Sequence, residues 1–149
     1  MADIITESIR MFGKWFNKAK SEVAKVTKRD LMEASVACGV LVMYADGDAT
    51  DNEVEKLLTV LQTMPSLSEF QSDIPSVFEK YSQLMSKSAR MGKLELMKQI
   101  RDCEHDKAEA EQILIVGLDV SDADGLSAEE EDVLKNIATT LGLNIAEYA

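Results

Sequence analysis

Apolar residues recur along this chain at intervals of three and four, the spacing of one helix face, and no stretch alternates with period two. The run 34–45 is apolar nearly all round, which predicts a helix buried on every side. Leu57, Val60, Leu61 and Met64 form one stripe, and Leu134, Ile137, Ala138 and Leu141 form another. Val77, Phe78, Tyr81, Leu84 and Met85 mark a third helix, and Leu94, Met97 and Ile100 a fourth. Asp106 is placed to cap a long helix over 107–120. Breaks fall at Met64-Pro65-Ser66 and at Asp73-Ile74-Pro75, the second putting proline in a first turn. Arg90-Met91-Gly92 predicts a bend, Leu141-Gly142-Leu143 ends the penultimate helix, and 144–147 makes at most one turn. No low-complexity linker divides these parts. The expectation is an all-α, single-domain helical bundle over 31–149, preceded by a separate amphipathic helix over 1–30.

Two of these helix pairs enclose the same short acidic loop. Ala45-Asp46-Gly47-Asp48-Ala49-Thr50-Asp51-Asn52-Glu53 is echoed by Ala123-Asp124-Gly125-Leu126-Ser127-Ala128-Glu129-Glu130. Each copy follows an apolar segment opening with glycine, Gly39-Val40-Leu41-Val42 or Gly117-Leu118-Asp119-Val120. Glycine after aspartate lets the chain take positive φ and stop the incoming helix. Thr50-x-x-Glu53 and Ser127-x-x-Glu130 read as capping boxes for the outgoing helices. The first loop is one residue longer than the second when the two are aligned on their caps. The duplication predicts two pseudo-symmetric helix–acidic loop–helix halves and a binding protein rather than a catalytic pocket.

Both loops gather carboxylates, so a cation is the first ligand to test. With Gly47 or Gly125 at the sixth position of a calcium loop, Glu53 and Glu131 fall at the twelfth, and Asp46 and Asp124 at the fifth. The first position, however, holds Val42 or Val120, and the third holds Tyr44 or Asp122, which rules out an EF-hand. A looser oxygen site remains, drawn from Asp46, Asp48, Asp51 and Glu53, or from Asp122, Asp124, Glu129, Glu130 and Glu131. The competing reading is that these acids cap helices and complement the positive ends of helix dipoles.

The paired Ala-Asp-Gly…Glu loops, their spacing and their aliphatic flanks resemble the TerB family, associated with bacterial tellurite resistance. The likeness runs from about Lys28 to the C-terminus. It implies an all-helical fold and a role in tellurite and related stress responses, including phage and colicin resistance. It also implies metal-ion binding through the acidic loops and work with membrane partners such as the TerC family. Carried onto this chain, the resemblance implies Asp46, Glu53, Asp124 and the run Glu129, Glu130 and Glu131. Taken with the loop reading, the expected ligands are Asp46, Asp48, Glu53, Asp122, Asp124, Glu130 and Glu131, with a divalent cation (calcium, magnesium or zinc) as the cofactor.

Charge narrows the partners. The formal net charge of −11 disfavours nucleic acid, which needs a basic footprint. Residues 1–30 run the other way, with Arg10, Lys14, Lys18, Lys20, Lys25, Lys28 and Arg29 against Asp3, Glu7, Glu22 and Asp30. Ile5, Ile9, Phe12, Trp15, Phe16, Ala19, Val23 and Val26 recur there at helical spacing. Such a segment suits an anionic membrane surface, a protein partner, or its own acidic domain. No apolar run approaches the roughly 20 residues that span a bilayer.

Cys38 and Cys103 lack CxxC spacing and follow no secretory signal, which predicts a reducing, cytoplasmic setting, with peripheral contact at the inner membrane face as an option. Cys38 reads as a core residue. Cys103-Glu104-His105-Asp106, with the only histidine, reads as an exposed turn rather than a zinc site. No phosphate loop, GxSxG or HExxH is present, so a non-enzymatic protein is expected. The functional expectation is a stress-response binding module that takes a cation and docks to a partner. The alternative is a metal-independent adaptor whose acidic face meets a basic protein.

Overall fold

A computed structural model describes residues 28–148. The amphipathic segment expected in residues 1–30 therefore lies outside the described residues up to position 27. Described residue 28 already belongs to a helix, α1, which continues unbroken to residue 43. It is followed by α2 (Asp51–Thr63), a 3-10 turn (Pro65–Phe70), α3 (Ile74–Lys87), α4 (Ala89–Arg101), α5 (Lys107–Ser121), α6 (Ala128–Thr140) and a closing 3-10 turn (Ile145–Glu147). No strand occurs among the described residues. None of their helices is long and apolar enough to cross a membrane.

The bundle is built around α1, in which every residue from Ala34 to Met43 is buried. This is the segment whose sequence is apolar on all sides, and burial of such a helix requires neighbours all round. Two glycines set how closely those neighbours approach. A Cβ on Gly39 would lie 2.3 Å from Leu57 Cδ1, so α1 and α2 meet with leucine seated on bare backbone. A Cβ on Gly117 would lie 2.8 Å from Cys38 Sγ and 2.9 Å from Leu134 Cδ2, which brings α5 against both α1 and α6. Each acidic loop thus joins a helix carrying a glycine to a helix whose buried leucine fills the space beside it. Helices α2 and α5, α5 and α6, and α3 and α4 pack as neighbours, and α4 also touches α6.

The break between α3 and α4 falls at Ser88, not at the expected bend around Gly92. Ser88 caps α4 by accepting from Met91 N at 3.4 Å. Gly92 lies inside α4 because Met85 occupies the space a side chain would need, with Sδ 2.6 Å from an added Cβ. Consequently α4 turns Leu96, Met97 and Ile100 inward, while Leu94, expected on the stripe, is half exposed. The 3-10 turn after Pro65 was not legible as an element. It buries Leu67 and Phe70, and Gln71 Nε2 ties it down by donating to Leu61 O at 3.1 Å and Leu67 O at 3.3 Å.

Because the α1–α2 contact is a leucine on a glycine, the two positions should be energetically coupled. Gly39→Ala should cost about 1–3 kcal/mol through overpacking, and Leu57→Ala about 2–5 kcal/mol through the cavity it leaves. Combined, they should fall short of the sum by about 0.5–3 kcal/mol in urea unfolding. Strict additivity would show that the glycine does not set this contact.

Candidate functional site

Both acidic loops end a buried helix and start a capped one, and they do so with matching bonds. Leaving α1, Tyr44 N donates to Val40 O at 3.1 Å and Ala45 N to Val42 O at 3.2 Å. Leaving α5, Asp122 N donates to Leu118 O and Ala123 N to Val120 O, both at 3.2 Å. Gly47 (φ +99°) and Gly125 (φ +84°) then take the left-handed conformation that a side chain disfavours. The capping boxes close as the sequence predicts. Glu53 N donates to Thr50 Oγ1 at 3.1 Å and Thr50 N to Glu53 Oε1 at 3.0 Å. Glu130 N donates to Ser127 Oγ at 3.1 Å and Ser127 N to Glu130 Oε1 at 3.3 Å.

The loops are not independent. Asp124, in the second loop, accepts from the Thr50 hydroxyl and from Asn52 Nδ2 (3.2 Å), both at the start of α2. One Thr50 oxygen thereby serves twice, accepting within its capping box and donating to the other loop. These two bonds hold the Asp124 carboxyl below the usual carboxylate range. They also place its charge at the positive end of α2, where an anion is favoured.

Beneath this bridge sit two carboxylates that water barely reaches. Glu53 and Glu130 are each only 4% exposed. Burial pushes the Glu53 carboxyl up, its bonds to Thr50 pull the other way, and the charges of Glu130 and Asp46 push it up further. Glu130 spends one oxygen on its cap, and its second, Oε2, is buried with no hydrogen-bond partner. The other such atoms among the described residues are the hydroxyls of Ser35 and Ser82, so Glu130 is the one carboxylate left in this state. An unsatisfied buried polar atom is costly and calls for a specific explanation.

The remaining predicted ligands are less engaged. Asp46 and Asp48 are exposed, joined only by a long bond from Asp48 N to Asp46 Oδ1 at 3.4 Å. Asp122 is exposed at the end of α5, and Glu131 pairs with Lys135 at 3.1 Å on the surface of α6. Among the described residues, no group of three or more His, Cys, Asp or Glu side chains is already gathered around one point. The structure therefore brings Glu53 within the field of Glu130 and of Asp46, and ties Asp124 to Thr50 and Asn52 beside them. It leaves Asp48, Asp122 and Glu131 outside. Thr50 and Asn52 were not foreseen as cross-loop partners, because a contact spanning more than 70 positions leaves no mark on local periodicity.

Other candidate chemistry does not converge. Cys38 is fully buried and Cys103 nearly so, and burial pushes each thiol up to about 12. Cys103 thus lies under the turn that was expected to expose it, while His105 points into solvent at 88% side-chain exposure. A surface groove of about 500 Å3 runs past Tyr44, Leu58 and Phe78, and neither buried glutamate lines it.

Thus the fold presents two capped acidic loops, bridged to each other, at the ends of helices α1 and α5. No curated protein and no solved structure matches this chain. The family model described as "Tellurite resistance protein TerB" matches residues 32–149, a span that takes in both loops and every described helix after the start of α1. The chain belongs to the TerB family.

Proposed function

We propose that this TerB-family protein is a non-enzymatic stress-response module whose two acidic loops act together as one divalent-cation site. The observation that carries the reading is the orphaned Oε2 of Glu130, buried within the electrostatic reach of Glu53 from the other loop. A cation accepted between the loops would satisfy that oxygen and remove the like-charge repulsion. Glu53, Glu130, Asp124 and Asp46 are the residues that would hold it. Their all-oxygen chemistry suits calcium or magnesium and not zinc, since both thiols and the imidazole lie elsewhere. The ligands would have to draw closer than they now stand, so binding would stiffen the start of α2 and of α6 together. A protein partner, membrane-associated as in TerC or soluble, would read that stiffening.

A second reading has its own support. Thr50 and Asn52 join the loops through direct hydrogen bonds to Asp124, which suits the acidic face as a docking surface for a basic protein. Capture of such a partner would survive chelation and weaken steeply with salt.

Glu130→Gln separates the two readings, because glutamine keeps the capping box while removing the charge. In chelator the variant should melt higher than wild type, its buried repulsion being relieved. Calcium at about 100 times its dissociation constant should stabilise wild type by about 2.7 kcal/mol and the variant by far less. An equal calcium response in both proteins would sink the assignment of this oxygen to the site.

Acidity provides an independent check. Glu53, Glu109 and Asp30 are all pushed above their ordinary values, chiefly by burial. The folded state then holds more protons than the unfolded chain between the ordinary and the raised values, so stability falls as pH rises through that window. Asp124 acts oppositely, but its lowered value puts its contribution at risk only at more acidic pH. In chelator, the melting temperature should rise as pH drops from the raised values toward the ordinary ones, and fall again at more acidic pH as Asp124 takes up its proton. Calcium should flatten the part of this limb that Glu53 contributes, because it competes with that carboxyl's proton, and leave the part from Glu109 and Asp30. A calcium-independent profile would contradict the shared site.

A further inference from the structure

Helix α4 opposes the charge of the rest of the molecule. In a chain of net charge −11, it carries Arg90, Lys93, Lys98 and Arg101 against the single acid Glu95. Lys98 pairs with Glu95 at 3.5 Å, but Arg90, Lys93 and Arg101 have no ion-pair partner among the described residues. These three line one groove of about 330 Å3 between α4 and α6, floored by Leu94 and Met97 and flanked by Asn136 and Thr140. Beside it, Met91 is 53% and Leu94 52% exposed.

The dimensions of the groove select its occupant. Arg90 and Arg101 are eleven positions apart, about 16 Å along a helix, so one phosphate cannot touch both. Two carboxylates held apart with an apolar residue between them can. The second acidic loop presents that set: Asp122 at the end of α5 and Glu129 in the first turn of α6 are exposed on either side of Leu126, itself 54% exposed. Met91, Leu94 and Leu126 are three of the four large apolar residues that the described chain leaves exposed, Ile115 being the other. Two stand among cations and one among acids. Segment 1–27 does not fit the groove, since its five cations outnumber its three acids and match the groove in sign. An anionic membrane would meet the repulsion of the whole acidic body.

We propose that copies of this chain assemble head to tail, Leu126 and its flanking acids seating in the α4–α6 groove of the next copy. Loop and groove lie at opposite ends of α6: the loop leads into Ala128, while Asn136 and Thr140 line the groove. That is about 12–18 Å along the helix. The contact is therefore heterologous, leaving a free groove at one end and a free loop at the other, so it propagates into short chains rather than closing as a two-fold dimer. A contact this small is weak and forms at high local concentration. It does not involve the bridged Asp124 or the buried glutamates, so it stands or falls separately from cation binding.

Sedimentation velocity of the full chain in chelator, at physiological ionic strength, tests the proposal. Wild type should show a sedimentation coefficient that climbs with concentration past that of two chains. Arg90→Glu with Arg101→Glu should remain monomeric, as should Asp122→Arg with Glu129→Arg, each with an unchanged circular dichroism spectrum. Mixed in equal amounts, the two variants should again assemble past two chains, since the native loop of one meets the native groove of the other and their two reversed halves match each other in charge. Lys56→Glu with Lys80→Glu, matching the first variant in net charge, should assemble as wild type does. A wild type that stays monomeric overturns the proposal, including the case in which it instead co-sediments with anionic vesicles. So does a loss of assembly in the Lys56/Lys80 variant equal to that at the groove, or a mixture that fails to associate.

Discussion

Two glutamates, buried where the acidic loops meet, set the terms for everything around them. Glu53 and Glu130 are needed as the closing residues of two capping boxes, which fixes each at the third position of its helix. Packing of α2 against α5 and of α5 against α6 then draws those helix starts together. Neither charge can be moved without uncapping a helix, and neither is well solvated. The fold answers with the bond network of Thr50, Asn52 and Asp124, which ties the loops despite their like charge. One oxygen of Glu130 is left over, buried with no hydrogen-bond partner, and the proposed cation site starts from that atom.

The close packing that enforces this meeting starts at two glycines. Gly39 and Gly117 remove the side chains that would hold α1, α2, α5 and α6 apart, and Leu57 and Leu134 fill the spaces they leave. The same positions lie upstream of the two acidic loops by nearly the same interval. The packing of the core and the geometry of the loops are therefore joined through short, stiff segments.

Much of this was legible from residue types and spacing. Helical periodicity placed the long helices, proline and glycine placed most of their ends, and Thr50-x-x-Glu53 and Ser127-x-x-Glu130 announced their caps. The errors came from tertiary packing overriding local preference. Gly92 read as a bend but serves as a contact for Met85, so the break moved to Ser88, where a hydroxyl caps the next helix. Leu94 matched a core stripe but ended at the edge of a basic groove. Within the acidic loops, composition nominated seven ligands without ranking them. Their ranking depends on which acids face one another across the molecule, and that is set by helix packing, to which no local pattern refers.

Whether the loops combine into one site rather than forming two is read by calorimetric titration of chelator-stripped protein with calcium. A shared site takes up one ion per chain, with binding abolished by Asp46→Asn in the first loop and equally by Asp124→Asn in the second. Two ions per chain, with each substitution removing only its own, would contradict it.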